Sequence, residues 1–530
     1  MNKLTYNVHG LGLILLCWFP FCAALGQYGS DSLVVNNINA LVRSDGALFW
    51  DPGTYAPGFE VPVGSGQHSM FAANLWVGGR DAAGSLHLAA QMYYQAGTDY
   101  WPGPVANTYP GSYDTRYNRL WKLSRQQIET HLTQWQLPGY VPPAVILDWP
   151  AHGDTTRGEA YDLAPFIDQD ADGHYEPLGG DYPAIRGDQA VVFILNDQRA
   201  AHSASAGEPL GLDIIGMLYG FQDESSAALQ HTVFLHYTLI NRSAHTYDSL
   251  RAGFWHDTEL GQGGDDLAGC DTALYLGYVY NAGETDNVYG ASPPAQGTVW
   301  LGEDDWRYIT HQNNFSLTGV PQFATEYYTY LDARWKDGSP VTRGGSGYGG
   351  ITPVQYIYSG DPVADTGWTA RQAFPSGTDV LSVLAGGPYT LAPGDRVCLD
   401  MALAFARDSA GGADRLGNIS LLRQYAATLR AFYQAQGYAC DDQATGISSP
   451  GPALQQKIFP NPAREILCIT TSLPLVSVTI WNSLGQPIPV AAHQEPGRIC
   501  LDLNGLTPGH YWIRYTGQDT EGSAGFVVWP

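Results

Sequence analysis

The chain has 530 residues, 44% apolar and 12% aromatic, with 26 Lys plus Arg against 51 Asp plus Glu. That composition excludes disorder as the main state, and the net charge of −25 repels phosphate backbones, which argues against nucleic acid as a partner. Glycine (62), proline (34) and tyrosine (33) are abundant, as in short strands joined by tight turns. We therefore expect a mainly β protein: a large multi-part β-rich body with β-sandwich elements and two short helices, then a small C-terminal antiparallel β-sandwich.

Residues 1–26 read as a signal peptide. Lys3 gives a modest positive start, 11–21 an apolar core, and Ala24, Leu25 and Gly26 a small-residue cleavage site. The run is too short and too proline-broken for a good membrane span, and no other segment reads as one. Neither Cys17 nor Cys22 follows the small residues of a lipoprotein signal. The expected mature chain is exported and soluble.

The body is expected over 27–440, with a possible division near 190. "INALVRSDGALFW" alternates around Ser44, Asp45 and Gly46 and predicts a hairpin. "SMFAANLWVGGRDAAGSLHLAAQMY" predicts a second, with its corner at Gly78, Gly79, Arg80 and Asp81. "SRQQIETHLTQW" predicts a helix: Ser124 and Gln127 have capping-box spacing, and Ile128, Leu132 and Trp135 share a face. "HTVFLHYTLINRS" and "VCLDMALAFAR" predict strands, and 412–437 a second amphipathic helix with Leu416, Ile419, Leu422, Leu429 and Phe432 near helical spacing.

Two acidic groups are candidate metal sites. In "IDQDADGHYEP", Asp168, Asp170 and Asp172 occupy positions 1, 3 and 5 of a calcium loop, with Gly173 at the sharp turn. His174 would offer its backbone carbonyl, and Glu176 or Asp181 would close the shell, because position 12 is Gly179 and the full EF-hand pattern fails. A structural calcium ion is the expected cofactor. Asp257, Glu259, Asp265, Asp266 and Asp271 form the second group, read as a further cation site, a catalytic carboxylate pair or a solvated loop.

Catalytic signatures are absent: no HExxH, no GxSxG and no P-loop, and "GGSGYGG" at 344–350 misses the nucleophile elbow. The reading leans away from an enzyme. His68, His87, His152 and His256 could meet in space, and Trp101, Trp149 and Trp255 could stack on sugars, though burial suits each better. After the signal, five cysteines remain without a CxxC pair, and Cys468 with Cys500 is the bridge that shared domain membership favours.

"DDQATGISSPGPALQQ" (441–456) loses periodicity and reads as a linker. Beyond it, "IFPNPAREILCI", "VTIWNSLGQPI" and "LDLNGLTPGHYWIRY" carry a resemblance over 457–530. The segment resembles the type A sorting domain of the type IX (Por) secretion system of Bacteroidetes. Its motif positions fall on Pro460, Asn461, Pro462, Gly485, Leu506, Gly509 and Tyr511. The resemblance implies passage through the periplasm, recognition by the type IX machinery, and release or attachment to surface lipopolysaccharide. The body, with "FEVPVGSGQHSMFAANLWVGG" and "APFIDQDADGHYEPLGGDYPAIRGDQA", resembles a group of secreted Bacteroidetes proteins with the same tail and no established activity. The resulting expectation is a calcium-stabilised binding or structural protein with a polymer or protein ligand. The alternative is a secreted hydrolase of polysaccharide or protein.

Overall fold

The computed structural model describes residues 28–93, 97–302, 305–408, 410, 412–438 and 440, and, further on, 457–459, 463–470, 475–482, 487–495, 498–517 and 521–528. The expected signal peptide and linker, with Pro460, Asn461, Pro462 and Gly485, lie outside these residues. Strands dominate, and the chain divides into two compact units, Met1–Ile447 and Ser448–Pro530.

In the first unit a nine-stranded antiparallel sheet runs in the order Trp121–Ser124, Gln189–Asn196, Leu212–Gly220, Thr232–Asn241, Arg396–Ala406, Ala295–Trp300, Leu276–Asn281 and Asp266–Asp271. Trp101–Pro102 pairs with Gln189–Asn196 as the ninth strand. Residue 190 thus lies inside a strand of this sheet. A five-stranded sheet holds Arg307–His311, Val380–Leu391, Tyr247–Thr258, Ala72–Arg80 and Leu86–Ala90.

The two sheets pack face to face. His256 Nε2 meets Thr298 Oγ1 at 3.3 Å, and a Cβ placed on Gly386 would come within 2.4 Å of the Trp300 ring, so only glycine lets the layers close there. Period-2 alternation then sends Gly253, Trp255 and Asp257 to the opposite face. On that face Trp255 stacks on Trp76, and Tyr327 of helix Ala324–Leu331 meets Trp76 edge-on at 4.7 Å. Helix Arg415–Gln436 covers the outer side of the large sheet, with Ile419, Leu422, Ala426 and Leu429 buried and Phe432 against Phe221 and Phe234.

Helix Arg125–Gln134 carries the predicted capping box between Ser124 and Gln127. Its buried residues are Ile128 and His131, however, and Leu132 is exposed. Replacing Ser124 by Ala is expected to lower stability by about 1 kcal/mol in urea unfolding, from loss of the cap. The second predicted hairpin turns later than the glycines suggest. Gly78 and Gly79 lie inside strand Ala72–Arg80, and Asp81 Oδ1 accepts from the N–H groups of Ala83 and Ser85 to make the turn. A Cβ on Gly78 would meet Leu88 and Tyr328, so this glycine serves packing. The helices Gly111–Tyr117 and Ala324–Leu331 add to the two expected from sequence.

The second unit contains two four-stranded antiparallel sheets around one core of Leu467, Ile480, Ile499, Leu501, Ile513 and Val528. Cys468 and Cys500 stand opposite each other in adjacent strands and form the expected disulfide. A second bridge, Cys398–Cys440, joins strand Arg396–Ala406 to the segment after helix Arg415–Gln436. Cys270 is free and buried, and burial raises its thiol pKa, which leaves it unreactive.

Candidate functional site

The first acidic group sits in a loop closed by a two-residue antiparallel pair, Phe166–Ile167 with Tyr182–Pro183. Ile167 pairs with Tyr182, so Asp168 and Asp181 flank the neck of the loop and face each other. Left-handed backbone at Ala171 (φ 60°) and Gly173 (φ 82°) folds the intervening chain back on itself. Carboxylate oxygens of Asp168, Asp170 and Asp181 then lie within 4.8 Å of one another, as do those of Asp170, Asp172 and Glu176.

Backbone groups organise the loop further. Asp168 accepts from the N–H groups of Ala171 (2.7 Å) and Gly173 (2.8 Å), and Asp181 from those of Gln169 and Glu176 (both 2.8 Å). Partial burial pushes the Asp168 pKa up, but the Gly173 and Ala171 bonds outweigh it and the net shift is downward. The Asp170 pKa is raised by desolvation, then by the Asp172 charge and a hydrogen bond with the Asp168 side chain. The His174 ring meets the Tyr161 hydroxyl at 2.5 Å. Oxygen donors at this density match a hard cation such as calcium.

The second acidic group does not stay together. Asp271 pairs with Arg423 at 3.1 Å, Asp266 accepts from the Leu260 N–H, and Asp265 lies near Asn281 and Asp286. Asp257 and Glu259 gain a partner that sequence reasoning missed, Asp379, while Asp266 stays near enough to feel the Glu259 charge. Strand Tyr247–Thr258 pairs with Val380–Leu391, with Asp257 opposite Leu381 and Thr258 opposite Val380. Continuing that register sets Glu259 opposite Asp379, and alternation places Asp257 on the same face. Oxygens of the three lie within 4.8 Å of one another.

These carboxylates are largely dry. Asp257 is 0% exposed, and neither of its oxygens accepts a well-formed hydrogen bond among the described residues. Burial, followed by the charges of Asp379 and Glu259, pushes the Asp257 pKa far above the usual carboxylate range. Burial and then Asp379 push Glu259 up to about 7, and burial raises Asp379. At an effective dielectric of about 20, two charges so close repel by about 3.5 kcal/mol.

Asp379 also lines a cavity of about 150 Å³ with His311, Gln312, Thr318, Trp335 and Ser346. His311 is a packed, neutral side chain: it accepts from Trp255 Nε1 at 3.3 Å, stacks on Tyr330, and burial holds its pKa down to about 3. The loops beside the cavity are pinned by Tyr330, whose hydroxyl donates to the Gly319 carbonyl, and by Trp335 and Trp368, whose indoles donate to the Gly347 and Gly345 carbonyls. Those loops carry exposed Phe315, Leu317, Phe323, Tyr348 and Ile351.

The other candidates disperse. His68 lies by Glu60, His87 by Asp81 and His245, His152 against Tyr161 and Phe166, and His256 between Thr258 and Thr298. Trp149 and Trp255 are buried and Trp101 is half-buried, so none offers an open face for a sugar.

In the second unit Leu506 packs against the core, and the Tyr511 hydroxyl donates to the Thr507 carbonyl at 2.7 Å, which fixes the turn before strand Gly509–Gly517. Residues 457–528 match the family described as the secretion system C-terminal sorting domain. No curated protein matches the chain. Among solved structures, a polysaccharide lyase is similar at 10% identity and a TM-score of 0.17, over 60% of this chain and 34% of its own. The chain thus spans about a third of that lyase. A putative aldose 1-epimerase from Escherichia coli K12 is similar at 10% identity and a TM-score of 0.24, over 72% of this chain and all (100%) of its own. Likenesses this distant carry no argument about activity. The C-terminal unit belongs to the type IX sorting-domain family, and the chain is a type IX cargo exported to the cell surface or the extracellular space.

Proposed function

We propose that the exported body is a calcium-stabilised binding protein whose polymeric ligand engages the mouth of the cavity beside Asp379. The observation that carries this reading is the group of exposed apolar residues on pinned loops: Phe315 is 72% exposed, Phe323 62% and Ile351 97%. Exposed apolar side chains gain nothing for folding, and rings on loops that also supply Thr318 and Ser346 to a cavity with Asp379 suit a carbohydrate polymer. Attachment to surface lipopolysaccharide is the accompanying proposal for its anchorage after sorting. On a glycan array, the combined variant Phe315→Ala, Phe323→Ala, Ile351→Ala is expected to lose at least tenfold in binding at an unchanged melting temperature. Equal binding by variant and parent would overturn the assignment of the mouth.

The 168–181 loop is the calcium brace in this reading, supported by its two overlapping carboxylate triplets. Chelation with EGTA is expected to lower the melting temperature of the parent by a few degrees. It should have less effect on the variant Asp170→Asn, Asp172→Asn, because Asp170 belongs to both triplets. Identical EGTA responses would remove the brace.

A hydrolase is the second reading, favoured by the approach of the Glu259, Asp257 and Asp379 carboxylate oxygens to within 4.8 Å of one another, with the Glu259 pKa raised to about 7 by burial and Asp379. Release of reducing ends or peptides by the purified body, abolished by Glu259→Gln, is its test.

A further inference from the structure

We propose that Asp257, Glu259 and Asp379 together hold one hard divalent cation at the edge of the cavity, a site separate from the 168–181 loop. Asp257 lies in strand Tyr247–Thr258, and Glu259 and Asp379 are the residues immediately beyond the paired ends of Tyr247–Thr258 and Val380–Leu391, so the ladder between these strands sets the cluster. Asp257 is the decisive group. It is fully enclosed, neither of its oxygens meets a donor in good hydrogen-bond geometry among the described residues, Tyr93 being the one side chain close enough to lower its pKa, and one of its oxygens lies within 4.8 Å of an oxygen from each of the other two carboxylates. Buried polar atoms are nearly always satisfied, and a pair of unsatisfied carboxylate oxygens asks for a proton or a metal. Asp379 Oδ1 is buried and unsatisfied in the same way.

No side-chain cation answers these charges. The influences on the three carboxyls come from burial, from one another, and from the Tyr93 and Asn313 side chains, with no contribution from Lys, Arg or His. A divalent ion would cancel two of three negative charges at once. The donors are all carboxylate oxygens, which selects calcium, magnesium or manganese over zinc or copper. The cavity that Asp379 lines has room for several waters to complete the shell, since a water occupies about 30 Å³. An ion there would tie the end of strand Tyr247–Thr258 to the start of Val380–Leu391, beside the loops that carry Phe315 and Tyr348.

The site stands whether or not a glycan is the ligand, and the test separates it from the loop. The full chain carrying Asp170→Asn and Asp172→Asn is stripped with EGTA and titrated with calcium, magnesium or manganese by calorimetry, with metal content measured after dialysis. One ion per chain is expected to remain. Adding Asp379→Asn should weaken its binding at least tenfold. Glu259→Gln, at a half-exposed position, gives the same reading if Asp379→Asn fails to fold. Absence of any bound divalent ion in the loop variant, or an affinity that neither further substitution changes, overturns the site and leaves three carboxyls that share protons.

Discussion

Removal of residues 457–530 is expected to leave the body in the periplasm and abolish its appearance at the surface or in the medium. The second unit has its own core and its own disulfide, so it can be recognised as a separate folded module. The body likewise has a large core that uses no residue beyond 447, and it should fold without the tail. Fractionation with an antibody to the body reads the result, and a melting transition close to that of the parent shows that the retained protein is folded. The reciprocal fusion, 448–530 placed after an unrelated periplasmic protein, should carry that protein outside. A truncated body found outside at the parent level would refute the sorting role of this unit.

Legibility from sequence followed how local the deciding physics was. Strands Thr232–Asn241 and Arg396–Ala406 announced themselves through unbroken apolar runs and alternation, and helix Arg415–Gln436 through its 3.6-residue stripe. The convergence of the 168–181 carboxylates was readable because they lie within 14 positions of one another, and the sorting domain because its motifs recur in order. The second acidic group misled for the opposite reason. Asp265, Asp266 and Asp271 are near Asp257 in sequence, but Asp265 ends a short turn and Asp266 and Asp271 belong to a strand of the other sheet. Asp379 is 120 positions beyond Glu259 and joins it only through strand register, which no local pattern encodes. The glycines at 78 and 79 were misread as a corner because packing and turning both favour glycine, and only the neighbouring Tyr328 and Leu250 tell them apart.

The largest loss of stability from a single side chain is expected at Asp400. His236 and Asp400 face each other across adjacent strands of the large sheet, and His236 Nδ1 donates to Asp400 Oδ1 at 2.9 Å. Arg186 reaches the same oxygen at 2.5 Å while its guanidinium lies 4.3 Å from the Tyr438 ring centroid, just past the end of helix Arg415–Gln436. Burial alone would raise the Asp400 pKa, but its contacts with His236 and the Arg186 charge overcome it and hold it down at about 2, while burial lowers the His236 pKa, so Arg186 is the lasting cation of the group. Because this folded value is below the unfolded one of about 3.9, the stabilisation is complete above pH 4 and disappears as pH falls through 2. The shift corresponds to about 2.5 kcal/mol. Asp400→Asn removes more, about 3–5 kcal/mol at pH 7, because it leaves the Arg186 charge enclosed without its partner. Unfolding in urea between pH 2 and 7 separates the two effects: the variant should be less stable at neutrality and should lack the part of the acid slope between pH 4 and 2 that Asp400 supplies. Replacing Arg186 and Asp400 together by Met and Leu should recover much of the loss, since no unpaired charge then remains. A double variant as unstable as the sum of the single ones would mean that the two residues act separately and that the pair does not anchor the helix end to the sheet.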